Sequence, residues 1–174
     1  DVELNDVNGG SFSLEVAHRT ASHQQNESAV NYLLKKEAEG NIDDPLSFYK
    51  FRQRIDAAGV QLKEFLLEAK IAGKRVYGLG ASTKGNVLLQ YYGIDAELLP
   101  MIAEVNSDKF GAYTPGTKIP IVSQDQALDE RPDYLLVLPW HFREFFKSVE
   151  ALSKFDIVYP LPEFKVDSAK LTDD

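Results

Sequence analysis

The feature that most constrains this chain is a change of hydrophobic period near residue 74. Upstream, after Asp43-Asp44-Pro45, apolar residues Phe48, Phe51, Ile55, Ala58, Leu62, Phe65, Leu66 and Ala69 recur at three- and four-residue steps. That spacing predicts a helix to about Ala72, with Gly73 as its stop. Downstream, Arg75 to Leu79 is a short apolar strand that runs into a glycine-rich turn and an apolar helix from about Thr83 to Tyr92. Strands at Met101–Val105, Lys118–Val122, Tyr134–Leu138 and Asp156–Tyr159 follow, with helices at Gln124–Glu130 and Phe142–Leu152 between them. The run Tyr134 to Leu138 is apolar throughout, as in a parallel strand buried on both faces. Strands alternating with helices imply parallel βαβ units, so the expected fold is α/β with a doubly wound, mostly parallel sheet.

The first 72 residues read differently. Residues 11–18 alternate apolar and polar after the break Asn8-Gly9-Gly10, which predicts a strand. A polar stretch from Arg19 to Ser28 predicts a loop, and Val30, Leu33 and Leu34 place a helix over Ala29–Ala38. The expected organisation is an N-terminal strand and helical extension over 1–72, covering the sheet or bridging to a neighbour, and a sheet domain over 73–174, the two forming one compact unit. Residues 165–174 are polar and expected to fray. The chain opens on Asp-Val-Glu-Leu, which reads as an internal strand, so it is expected to be a piece of a longer polypeptide.

The turn Gly78-Leu79-Gly80-Ala81-Ser82-Thr83-Lys84-Gly85 lies where an open α/β sheet presents backbone N–H groups and the positive end of a helix dipole. Ser82 or Thr83 can cap the helix or donate a hydroxyl to a phosphate, and Lys84 adds a charge. A dinucleotide fingerprint requires a third glycine where Thr83 stands. A phosphate loop of the NTPase type places its lysine directly after the last glycine, and this one does not. A tight turn without ligand is the alternative. Glu104, at the end of the second strand, falls near the position whose carboxylate binds ribose in dinucleotide folds; the alternative is a solvated strand-end carboxylate. His141, in Trp140-His141-Phe142-Arg143, follows a buried strand at the edge where ligands bind. It is a candidate ligand contact or acid–base group, or else a packed histidine. Tyr113 to Ile121, stiffened by two prolines and a glycine, is either a pocket wall or a rigid connector. His18 and His23 have no companion at metal-ligand spacing, and Asp129-Glu130 and Asp173-Asp174 read as solvated charge.

Charge and composition narrow the partners. A net charge of −8 opposes general nucleic-acid binding. No apolar run approaches the ~20 residues of a membrane-spanning helix. Cysteine is absent, which removes disulfides and thiolate metal sites from this chain and fits a reducing cytoplasm.

Several blocks then combine in order: Gly78 to Leu89, Asp108-Lys109-Phe110-Gly111, Pro115 to Ile121, Asp133 to Glu144, Tyr159-Pro160-Leu161-Pro162, and the opening Asn8-Gly9-Gly10-Ser11. With them the chain resembles the C-terminal domain of S-adenosylmethionine-dependent sugar C-methyltransferases that act on nucleotide-linked deoxysugars. The resemblance implies a Rossmann-like, three-layer domain that helps hold a nucleotide-diphospho-sugar. It further implies an upstream zinc-binding module and an upstream domain that binds S-adenosylmethionine. The family's tyrosine-histidine-glutamate-histidine catalytic run lies upstream of the Asn-Gly-Gly stretch and does not occur here. The expectation is therefore a fragment with no catalytic residue of its own, His141 being the one candidate, and with no metal site. The candidate substrate contacts are Gly80, Ala81, Ser82, Thr83, Lys84, Gly85, Asn86, Glu104, Asn106, Lys109 and His141. Ala103-Glu104-Val105-Asn106 departs from the aspartate-led segment expected of the family, which leaves the nucleoside-contacting position open. Two other readings stay on the table: a nucleotide-binding module without catalysis, and a nicotinamide-dependent oxidoreductase using Glu104.

Overall fold

A computed structural model describes residues 1–169. The chain forms two compact units, Asp1–Ile55 and the part from Asp56 onward. The boundary falls inside a helix, whereas the change of hydrophobic pattern comes where that helix gives way to the sheet.

In the first unit, β1 (Val2–Asn5) and β2 (Ser11–Leu14) pair antiparallel. Helix α1 (Glu27–Glu39) starts at Asn26, whose side chain accepts from the Ala29 N–H. Helix α2 (Pro45–Ile71) begins in this unit and ends in the next. Proline suits its first position, because the missing N–H has no partner there in any helix. No residue of 1–55 is buried.

The second unit carries β3 (Val76–Leu79), α3 (Thr83–Tyr92), β4 (Ile102–Glu104), β5 (Ile121–Ser123) and α4 (Gln124–Asp129). It continues with β6 (Tyr134–Val137), α5 (Arg143–Ser148), β7 (Asp156–Tyr159) and β8 (Lys165–Asp167). The sheet order is β5-β4-β3-β6-β7-β8, all parallel except β8. This is the doubly wound arrangement expected. The strand order reverses at β3 and β6, the switch point beside which such sheets bind ligands.

Burial follows the two-residue period of the strands. Val76, Ile102, Leu136 and Val158 face one side, where they meet Leu62, Leu66 and Ala69 of α2 and Leu88 and Leu89 of α3. Tyr77, Leu79, Ala103, Leu135, Val137, Ile157 and Tyr159 face the other, with Ala127 of α4 and Leu152. The C-terminal half of α2 thus packs on the first of these faces of the sheet.

Three expectations need correction. Lys165–Asp167 is a strand and not a frayed end: it pairs with β7, and Asp167 accepts two hydrogen bonds from the Arg143 guanidinium at 2.8 and 3.1 Å. Residues 170–174, including Asp173-Asp174, lie outside the described residues. The helix expected over 142–152 is broken at Val149, whose ψ of 106° is extended, so α5 is one short piece between two 3-10 turns. The strand expected from Lys118 begins at Ile121, because Lys118 adopts a left-handed φ of 55° in a turn closed onto Thr114. Thr114 is buried; its hydroxyl accepts from the Ile119 N–H at 2.8 Å.

Candidate functional site at the carboxyl edge of the sheet

The glycine turn is shaped first by packing. Gly80 has φ of 82°, a conformation open to glycine at little cost, and a Cβ there would stand 2.9 Å from Pro139. At Gly85 a Cβ would stand 2.5 Å from the Cβ of Leu138, so this glycine lets α3 approach the end of β6. Ser82 is the N-cap: its hydroxyl accepts from the Gly85 N–H at 3.0 Å. The Gly80 N–H donates to Ala103 O at 2.8 Å.

Glu104 completes the turn from the neighbouring strand. One carboxylate oxygen accepts from the Ala81 N–H at 2.9 Å and from Lys109 Nζ at 3.1 Å. The other accepts from the N–H groups of Val105 and Asn106 at 2.8 and 3.0 Å. Lys109 Nζ also donates to Ala81 O at 3.0 Å. Asn106 makes this possible: its side chain caps the 3-10 turn Ser107–Lys109, which returns Lys109 to the loop. Burial pushes the Glu104 carboxyl up, but hydrogen bonds from the Asn106 N–H, the Lys109 ammonium and the Val105 N–H outweigh it. The group ionises below the ordinary glutamate range. At 7% exposure it is not the solvated strand-end carboxylate of one sequence reading.

Beside this clasp lies a cavity of about 310 Å³. Gly80, Ala81, Ser82, Glu104 and Lys109 line it, together with Gln124 and an apolar wall that includes Phe142, Phe145, Phe146 and Val149. Five of the eleven sequence candidates therefore meet in one cavity. Thr83, Lys84, Gly85 and Asn86 form the first turn of α3 outside it, and Asn106 acts as a cap. His141 lies in the turn after β6, its ring 4.2 Å from that of Phe142. Burial and then the Lys84 charge hold its pKa below the ordinary histidine value. Its Nδ1 and the Oδ1 of Asn86 are both buried without a hydrogen-bond partner. The Tyr113–Ile121 loop contributes nothing to the cavity lining and acts as the connector into β5.

The phenylalanine wall was missed in the sequence. Its signal was present: Phe142, Phe145, Phe146 and Val149 recur at helical spacing directly after a buried strand, at the ligand-binding edge. Among the described residues no group of three or more His, Asp or Glu side chains could hold a metal ion, and no helix is long and apolar enough to cross a membrane.

Comparison with known proteins places these features in a family. The model of the C-methyltransferase C-terminal domain matches residues 6–162. The C-methyltransferase NovU of Streptomyces niveus is 31% identical over 180 residues, covering 99% of this chain and 41% of NovU. The chain thus spans well under half the length of that relative. It belongs to the family of C-methyltransferase C-terminal domains.

Proposed function

We propose that this chain is the substrate-holding domain of an S-adenosylmethionine-dependent C-methyltransferase acting on a nucleotide-linked keto-deoxysugar in the cytoplasm. The observation that carries this reading is the cavity at the switch point, with an aromatic wall on one side and the glycine turn on the other. Pockets of this size with a few convergent polar groups suit small ligands. Phe142, Phe145 and Phe146 offer faces and edges for a nucleobase. The first turn of α3, with Thr83 and Lys84, offers the positive end of a helix dipole to the diphosphate. Asn86 Oδ1, within that turn, and His141 Nδ1, in the turn after β6, are buried polar atoms that lack a partner.

In the whole enzyme a base removes the proton next to the sugar ketone, and the enolate carbon takes the methyl group. S-adenosylmethionine supplies that methyl when bound upstream. The clasped Glu104, with four donors on two oxygens, offers no open carboxylate to ribose hydroxyls, which argues against placing that donor, or a nicotinamide nucleotide, in this cavity. Zinc belongs to the upstream module in this reading, and the base to the upstream catalytic run. This chain binds and orients, a contribution worth several kcal/mol of barrier in well-positioned reactions.

Isothermal titration with a nucleoside diphosphate tests the reading. The chain is expected to bind it, and Lys84→Ala to weaken binding about tenfold, the scale of one charge-assisted contact. Unchanged affinity in the variant would remove Lys84 from the site. Absence of binding to both this chain and the longer polypeptide would contradict the reading as a whole.

A further inference from the structure

The β1–β2 hairpin is amphipathic in a way its own unit does not use. Val2 pairs with Leu14 and Leu4 with Phe12, so these four side chains share one face. Glu3 with Ser13 and Asn5 with Ser11 make the other face polar. Yet the apolar face is open: Leu4 is 59% exposed, Phe12 61% and Leu14 62%. Two-stranded hairpins in water are marginal unless one face is covered.

From this we propose that the apolar face of the β1–β2 hairpin docks against the part of the same methyltransferase polypeptide that precedes this domain. The inference rests on reading the chain as the C-terminal domain of a longer methyltransferase. Three observations select this occupant. The matched relative is more than twice as long as the match, so a large body of chain accompanies domains of this family. A free dimer of this chain would have to bury ~800 Å² on each partner, which four side chains do not supply. A tethered domain needs less, because the linker holds it at high effective concentration. Residues 1–55 carry nine acidic against six basic side chains, a balance that opposes docking on an anionic lipid surface.

The chain has no cysteine, so Phe12→Cys and Ser13→Cys each introduce one thiol into it, on the apolar and polar faces respectively. Each variant is made in this chain and in the longer polypeptide, and maleimide labelling is followed by mass spectrometry of the peptide carrying the new thiol. Position 12 is expected to label at least tenfold more slowly in the longer polypeptide than in this chain, while position 13 changes less than twofold. Leu14→Cys, on the same face, is expected to repeat the result for position 12. Equal labelling of position 12 in both proteins would overturn the proposal. So would its protection in this chain alone, whether as a dimer by ultracentrifugation or as a monomer, and so would a coding sequence that encodes nothing upstream. Protection of position 12 together with absent nucleoside diphosphate binding would support the docking face while contradicting the substrate reading.

Discussion

At the scale of single residues, the carboxylate of Glu104 ties the glycine turn to the second strand through donors from three separate places in the sequence. A buried carboxylate with this many partners is stabilising only while it is ionised and every partner is present. Replacing it with glutamine turns one acceptor into a donor, facing either the Ala81 N–H and Lys109 or the N–H groups of Val105 and Asn106. Glu104→Gln is expected to lower stability by about 2 kcal/mol, read by urea denaturation. The pH dependence has a definite sign. The folded-state pKa lies below the unfolded one, so the unfolded chain binds more protons in that window. The stabilisation is complete above the ordinary glutamate value of about 4.3 and is lost as pH falls below it through the lowered folded value. The difference in stability between wild type and Glu104→Gln should therefore shrink on acidification through that range and stay constant from pH 6 to 8. A difference unchanged through that range would mean that folding does not lower the pKa of this carboxyl. The sequence placed Glu104 at the right strand end and made it a site candidate. Its clasp on Ala81 could not be read there, because it depends on a side-chain rotamer and on Lys109 returning through a 3-10 turn.

At the scale of elements, α3 is defined locally at both ends, and so its limits were legible. Ser82 caps it, and Gly93 ends it in the left-handed conformation at φ of 63°. Its seat on the sheet depends on Gly85, whose missing side chain lets the helix approach Leu138. Gly85→Ala is expected to cost about 1–3 kcal/mol in thermal or urea unfolding, because both Leu138 and the Ser82 cap would have to move. It should also weaken nucleoside diphosphate binding, since the first turn of α3 shifts with it. Wild-type stability in the variant would show that the contact yields freely. The less legible elements were those held by tertiary partners. The strand β8 is short and polar in sequence and exists because β7 offers an edge and Arg143 meets Asp167. The 142–152 segment has helical spacing throughout, yet it is interrupted at Val149. Its phenylalanines were legible as an amphipathic face, but the cavity they line was not.

At the scale of the whole molecule, the two units divide the apolar surface differently. The second unit buries apolar residues on both faces of a parallel sheet, and the sequence announced this through its alternation of strands and helices. The first unit buries none of its residues, although its hairpin has a continuous apolar face. The central claim concerns the second unit alone: that its switch-point cavity and the first turn of α3 receive a nucleotide diphosphate. Backbone amide chemical shifts of the isotope-labelled chain, followed during titration with a nucleoside diphosphate, test this most directly. The largest saturable changes are expected at Gly80 to Asn86 and at Phe142, Phe145 and Phe146, with the amides of the β1–β2 hairpin unmoved. Saturable changes confined to other surfaces, with the glycine turn and the phenylalanine wall silent, would contradict it.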